Sequence, residues 1–283
     1  MAIIDGKLVS SQVKDEIKEK TALLKAKGVE PCLAVIIVGD DPASRVYVNN
    51  KKKACEYIGF RSLEYALDEN TTQEELLSLI EKLNNDDTVD GILCQLPLPK
   101  HLDETLVINS ISYQKDVDAF HPVNVGKIMI GNYNMLPCTP AGIMELIKST
   151  GIDLKGKHAV VIGRSNIVGK PMAMLLLHAD ATVTVCHSKT QNLKEICRSA
   201  DILVAAVGRA GFVTADMVKE GAVVIDVGIN RNSEGKICGD VDFENVSKTA
   251  GYITPVPGGC GPMTIAMLMR NTYNAAVERR NIK

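Results

Sequence analysis

The sequence predicts an α/β protein of two domains built on mostly parallel sheets. Three observations carry this. The chain has 283 residues, and at roughly 150 residues per domain that points to about two. Short apolar runs of strand length alternate with helical patterns almost from end to end. A fresh strand–helix–strand series then starts after Thr139-Pro140-Ala141-Gly142.

In the first half, Cys32 to Val38 is a continuous apolar run suited to a buried parallel strand. Asp41-Pro42 follows as N-cap and first helical residue, predicting a helix to about Gly59. Thr72-Gln73-Glu74-Glu75 is a capping box ahead of Leu76, Leu77, Ile80 and Leu83. Val89 to Leu96 reads as the next strand, closed by Pro97-Leu98-Pro99. In the second half, strands are predicted at 157–163, 181–187, 201–208 and 222–228. One helix starts at Lys170-Pro171, and another lies between the second and third of these strands. From Pro262 to about Arg280 an amphipathic helix places Ile265, Leu268, Met269, Tyr273 and Val277 on one face.

Composition excludes several classes. Hydrophobic residues at 46% and charged residues at 23% exclude a disordered chain. A net charge of −2 leaves no basic excess for nucleic acid. The longest apolar stretches, such as 33–38 and 172–177, are too short to cross a bilayer. The N-terminus lacks the charged and apolar blocks of a signal peptide, so a cytoplasmic location is expected. The eight cysteines have no metal-clip spacing and several sit in apolar runs, so they read as reduced core thiols. The histidines form no ligand motif, and no metal is expected.

Gly163-Arg164-Ser165-Asn166-Ile167-Val168-Gly169-Lys170-Pro171 leaves a strand and enters a helix. Glycines there permit close backbone approach, and a helix N-terminus offers N–H groups to a pyrophosphate. The spacing alone fits a plain strand-to-helix turn equally well. The next strand ends Cys186-His187-Ser188-Lys189-Thr190, with hydroxyls and a cation where a ribose-binding carboxylate stands in NAD-selective folds. Arg164, Ser188 and Lys189 together favour NADP. Lys189 fits a solvated face as well.

Ser44, Tyr47 and Lys51 fall at i, i+3 and i+7, hence on one helix face. A tyrosine one turn before a lysine suits proton handling when burial pushes the amine toward neutrality. A lysine triplet on a helix is ordinarily solvent-facing; Lys52 and Lys53 fit that reading, and on spacing alone it favours a solvent-facing Lys51 as well. Gln95 ends a buried-looking strand, where ligands of open α/β sheets bind. Lys115-Asp116-Val117-Asp118 supplies two carboxylates. Pro255-Val256-Pro257-Gly258-Gly259-Cys260-Gly261-Pro262 is a rigid loop that could wrap a flat ligand or simply turn into the last helix.

Taken in order, several segments carry a family likeness. They are Val38-Gly39-Asp40-Asp41-Pro42-Ala43-Ser44 with Tyr47 and Lys51, Gln95-Leu96-Pro97-Leu98-Pro99, Lys115-Asp116-Val117-Asp118, Gly163-Arg164-Ser165 with Val168-Gly169-Lys170-Pro171, and Pro255-Val256-Pro257-Gly258-Gly259. Over nearly its whole length the chain resembles the bifunctional methylenetetrahydrofolate dehydrogenase/cyclohydrolases. The resemblance implies a catalytic domain of residues 1–139 completed by a C-terminal helix, 262–283, and a Rossmann-type NADP domain of residues 140–261. It implies folate in the cleft between them, a homodimer, and a place in one-carbon metabolism and purine biosynthesis.

The resemblance also assigns roles. Lys51 is the central catalytic group, Tyr47 stacks on the folate, Gln95 tunes Lys51, and Asp118 grips the pterin. Leu96 and the Pro257-Gly258-Gly259 loop line the folate. Gly163, Ser165, Val168, Gly169 and Ile229 contact NADP, while Arg164 and Ser188 take its 2′-phosphate. Two departures stand out: Ala119 where the family usually has glycine, and Cys260 where an aliphatic residue is common. Other readings are a dehydrogenase with little hydrolase activity and a silent NADP- or folate-binding module. The lysine argues against silence. A hydroxy-acid or amino-acid dehydrogenase lacks a supporting His/Asp or Lys/Asp pattern.

Overall fold

The computed structural model describes residues 1–282. In chain order its first elements are β1 (Ala2–Ile3), α1 (Gly6–Ala26), β2 (Cys32–Val38), α2 (Pro42–Ile58), β3 (Arg61–Leu67), α3 (Gln73–Asn84) and β4 (Gly91–Cys94). Then follow α4 (Glu104–Ser110), α5 (Pro122–Met129) and α6 (Cys138–Ser149). The later part holds β5 (His158–Ile162), α7 (Gly169–His178), β6 (Thr182–Cys186), α8 (Leu193–Arg198) and β7 (Ile202–Ala205). After a 3₁₀ turn come β8 (Val223–Asp226), β9 (Asn230–Arg231), β10 (Ile237–Cys238), α9 (Phe243–Val246), β11 (Tyr252–Ile253) and α10 (Cys260–Arg279).

Two compact units result, one of residues 12–138 with 265–282, the other of residues 1–11 with 139–264. The first is built on a parallel three-stranded sheet in the order β3-β2-β4. Every residue of the central strand β2 is buried, as its unbroken apolar run requires. Against it pack Leu76, Ile80 and Leu83 of α3. Thr72 and Glu75 cap α3 reciprocally, with bonds of 2.8 and 3.3 Å. The segment after α4 runs beside β4, where the Ile92 amide donates to the Lys115 carbonyl at 2.7 Å. α10 is buried at Met263, Ala266, Met267, Met269, Thr272, Ala275 and Ala276, so burial surrounds it instead of following the predicted single stripe. Ile265, Tyr273 and Val277 are only half-buried.

The second unit is a parallel six-stranded sheet in the order β1-β11-β8-β7-β5-β6, with an antiparallel β9–β10 hairpin. The chain steps from β5 outward to β6, then returns to β7 on the opposite flank of β5. That reversal is a topological switch point, and the carboxyl ends of β5 and β7 flank it. The sequence-based division placed the first residues with the other domain. The structure places residues 1–11 here, because Ala2 and Ile3 add an edge strand against Tyr252 and Ile253.

Candidate functional site

The Asp41 side chain accepts the Ser44 amide at 2.7 Å and Pro42 sets the first turn, which starts α2. The helix then buries Ser44, Val48 and Lys51 on one face, leaves Tyr47 half-buried and exposes Lys52 and Lys53. Lys51 retains only 8% of its surface. Its Nζ donates to Gln95 Oε1 at 2.8 Å. Gln95 stands at the end of β4, held by its amide on the Ile36 carbonyl at 2.8 Å. Its Nε2 donates to the Leu96 carbonyl at 2.7 Å, so the oxygen can only face the lysine.

Burial lowers the Lys51 pKa, and Asp118 opposes this. Burial raises the Asp118 pKa against the pull of Lys51 and a hydrogen bond from Cys138. Both groups are therefore drawn toward their uncharged forms, the condition under which a proton moves readily to or from a ligand.

Asp118 has supports that its sequence neighbourhood did not reveal. Cys138 Sγ lies 3.7 Å from Asp118 Oδ1 and 3.5 Å from the Val117 carbonyl. Burial pushes that thiol well above the usual cysteine range, so it stays protonated and donates. From α10, Asn271 Nδ2 reaches the Val117 and Leu136 carbonyls, each at 2.7 Å, and Cys138 Sγ at 3.7 Å. These residues come from three separate segments, and no spacing pattern links them.

Only Asp118 of the Lys115–Asp118 motif is placed toward Lys51. Lys115 Nζ donates to the Leu83 and Asp86 carbonyls at 2.8 and 2.7 Å, closing the C-terminus of α3, and burial draws its pKa down to about 8. Asp116 accepts the His121 amide at 2.8 Å and Asn124 Nδ2 at 2.9 Å; burial raises it to about 6. Ala119 takes the left-handed conformation, φ 57°, that glycine adopts without cost.

On the six-stranded sheet, the turn after β5 starts at the switch point. Gly163 has φ 128°, and a Cβ there would lie 2.3 Å from the Ala206 carbonyl oxygen that follows β7. At Gly169 a Cβ would lie 2.2 Å from the Gly163 oxygen. Glycine is thus required at both ends of the turn. Ser165 Oγ accepts the Val168 and Gly169 amides at 3.2 and 3.3 Å. The helix start is therefore capped from within, which corrects the expectation of open helix amides. The residues of the turn left exposed are Arg164, Ser165, Asn166 and Ile167.

The Gly163 amide donates to the Cys186 carbonyl at 2.9 Å. This brings Arg164 and exposed Ser188 and Lys189 to neighbouring crests of one sheet edge, with no carboxylate at the end of β6. The close-packed glycine turn and this hydroxyl-and-cation crest fit a phosphorylated dinucleotide. Ile229, 57% exposed, stands beyond the end of β8. The 254–259 loop follows β11, with Gly258 and Gly259 buried and Pro257 exposed. Cys260 is buried at the start of α10.

A switch-point nucleotide turn on one unit and a buried lysine with half-buried glutamine and aspartate on the other define a dinucleotide-dependent enzyme class. Residues 4–118 match the model of the tetrahydrofolate dehydrogenase/cyclohydrolase catalytic domain, and residues 137–280 that of its NAD(P)-binding domain. The chain belongs to the tetrahydrofolate dehydrogenase/cyclohydrolase family. It is 64% identical to the bifunctional protein FolD of Acetivibrio thermocellus over 99% of both chains. Among solved structures, the bifunctional FolD of Campylobacter jejuni is 58% identical, with a TM-score of 0.96 over 99% of both chains. The Trypanosoma brucei enzyme, solved with NADP cofactor and inhibitor, is 41% identical with a TM-score of 0.95, over 100% of this chain and 99% of that one.

Proposed function

We propose that the protein oxidises 5,10-methylenetetrahydrofolate to the 5,10-methenyl form with NADP+ and hydrolyses that product to 10-formyltetrahydrofolate. The observation that carries this reading is buried Lys51 hydrogen-bonded to Gln95 at 2.8 Å, with a shift toward the neutral amine. When bound, NADP+ supplies the hydride acceptor for the methylene carbon, a step that depends on alignment of two flat rings.

Arg164 and Ser188 would hold the 2′-phosphate of NADP+. The turn at Gly163, Ser165, Val168 and Gly169 would let the pyrophosphate approach, and Ile229 would contact the cofactor. Tyr47 stacks on the folate beside Leu96, and Asp118 accepts from the pterin amino and ring N–H groups. The methenyl product is cationic. A neutral Lys51 does not repel it, takes a proton from the adding water, and returns one to the leaving ring nitrogen. Gln95 holds Lys51 in place for both transfers.

The same reading makes the chain a cytoplasmic homodimer supplying one-carbon units for purine biosynthesis. β6 is an outer strand of its sheet, and Val185 on it and Leu177 before it are exposed. Open apolar edges of this kind suit pairing with a second copy.

Two absorbance assays test the proposal. One follows methenyl formation from 5,10-methylenetetrahydrofolate with NADP+, and the other follows loss of supplied methenyltetrahydrofolate. Both activities are expected in the wild type. Lys51→Met should abolish the second while circular dichroism stays native, and unaltered hydrolysis would remove Lys51 from the mechanism.

A further inference from the structure

Two buried aspartates tie together the loops beyond β7 and β8. Asp240, 0% exposed, accepts three consecutive backbone amides, Val207 at 2.7 Å, Gly208 at 3.0 Å and Arg209 at 2.8 Å. A fourth donor, Asn230 Nδ2, lies at 2.9 Å. Converging amides of this sort form an anion nest, here filled by the chain's own carboxylate. Asp226 in turn accepts the amides of Gly228, Asp240 and Val241 at 2.9, 2.8 and 3.0 Å. The packing leaves no slack. A Cβ on Gly228 would lie 2.3 Å from Asp240 Oδ1, and one on Gly239 1.8 Å from Asp226 Oδ2.

What this pair fixes is the crest of the sheet. Val207 follows Ala206, whose amide bonds the Ile162 carbonyl at 2.8 Å and whose oxygen crowds Gly163. Ile229 sits between Gly228, packed on Asp240, and Asn230, bonded to it. Neither aspartate is exposed to a ligand. We infer that Asp240, seated on Asp226, is a positioning residue for the dinucleotide. It sets the 206–209 loop against the Gly163 turn and presents Ile229, without touching the cofactor itself. The inference rests on the NADP-dependent reading above. A carboxylate is required because all four neighbours donate, and an asparagine would turn an NH₂ group onto them.

The test uses the full-length protein, with NADP+ affinity measured by titration calorimetry and methenyltetrahydrofolate hydrolysis as reference, since that step involves no redox change. Asp240→Asn should weaken NADP+ about tenfold, the scale of one lost charge-assisted bond. Hydrolysis should stay within about twofold, the margin of a side-chain bond change away from the reacting atoms. Should that variant fail to fold, Asn230→Ala, which keeps the carboxylate, decides the matter through the same selective loss of affinity. Unchanged NADP+ binding, or an equal fall in hydrolysis, overturns the inference. A wild-type protein that does not bind NADP+ overturns the functional reading first.

Discussion

Gln95 presents its carbonyl oxygen to Lys51 at 2.8 Å because its own amide group is engaged by the Leu96 carbonyl at 2.7 Å. The lysine thus meets a neutral acceptor in a buried position that already lowers its pKa. If the neutral amine is the working form, hydrolysis rises with pH through the Lys51 pKa. Gln95→Glu would place a carboxylate there, favour the ammonium, and move the ascending limb of the hydrolysis profile upward by about one unit or more. A pH–rate profile measures this, and an unmoved limb contradicts it.

Ala119 offers a stability test beside Asp118. Its left-handed backbone costs roughly 1–2 kcal/mol, yet its methyl group is fully buried. Losing a buried methyl forfeits about 0.8 kcal/mol, and glycine also frees the unfolded chain. Ala119→Gly should therefore stay within about 1 kcal/mol of wild type. Ala119→Val, β-branched at positive φ, should destabilise by about 2 kcal/mol or more. Urea unfolding distinguishes them, and equal effects would mean that the backbone had moved.

Asp90 is fully buried and accepts Arg280 Nε and NH2 at 3.0 and 2.9 Å, Arg279 NH1 at 3.3 Å, and the Cys32 amide at 2.9 Å. It anchors the chain end following α10 to the start of β2. Asp90→Asn should cost about 2–3 kcal/mol, below the range for a fully buried pair because Arg280 keeps 28% of its side chain exposed. Denaturant unfolding with hydrogen exchange along residues 270–282 checks this. Wild-type protection there would show that the anchor is not needed.

Features written in contiguous residues were legible in advance. The β2 run, the Asp41-Pro42 helix start, the Thr72–Glu75 box and the Gly163 turn all appear where their local chemistry places them. α1 escaped notice although Val13, Ile17 and Leu24 are buried at helical spacing, because Ser10 and Thr21 share the same face and dilute the apolar signal. β3 reads as polar because it carries Arg61 and Glu64 on an edge strand. In the site, Lys51, Gln95 and Asp118 were singled out chiefly by the family resemblance of their motifs. Cys138 and Asn271 were not, since tertiary contact alone brings Cys138 to Asp118 and Asn271 to Cys138 and the Val117 carbonyl.

β1 pairs with β11, a strand some two hundred and fifty positions further along the chain, as Ala2↔Tyr252 records. A ribosome must therefore pass residue 253 before that sheet can acquire its two outermost strands on this side. Vectorial synthesis cannot finish the unit piecemeal, and a nascent chain stalled before residue 252 would emerge with β8 still awaiting its neighbour.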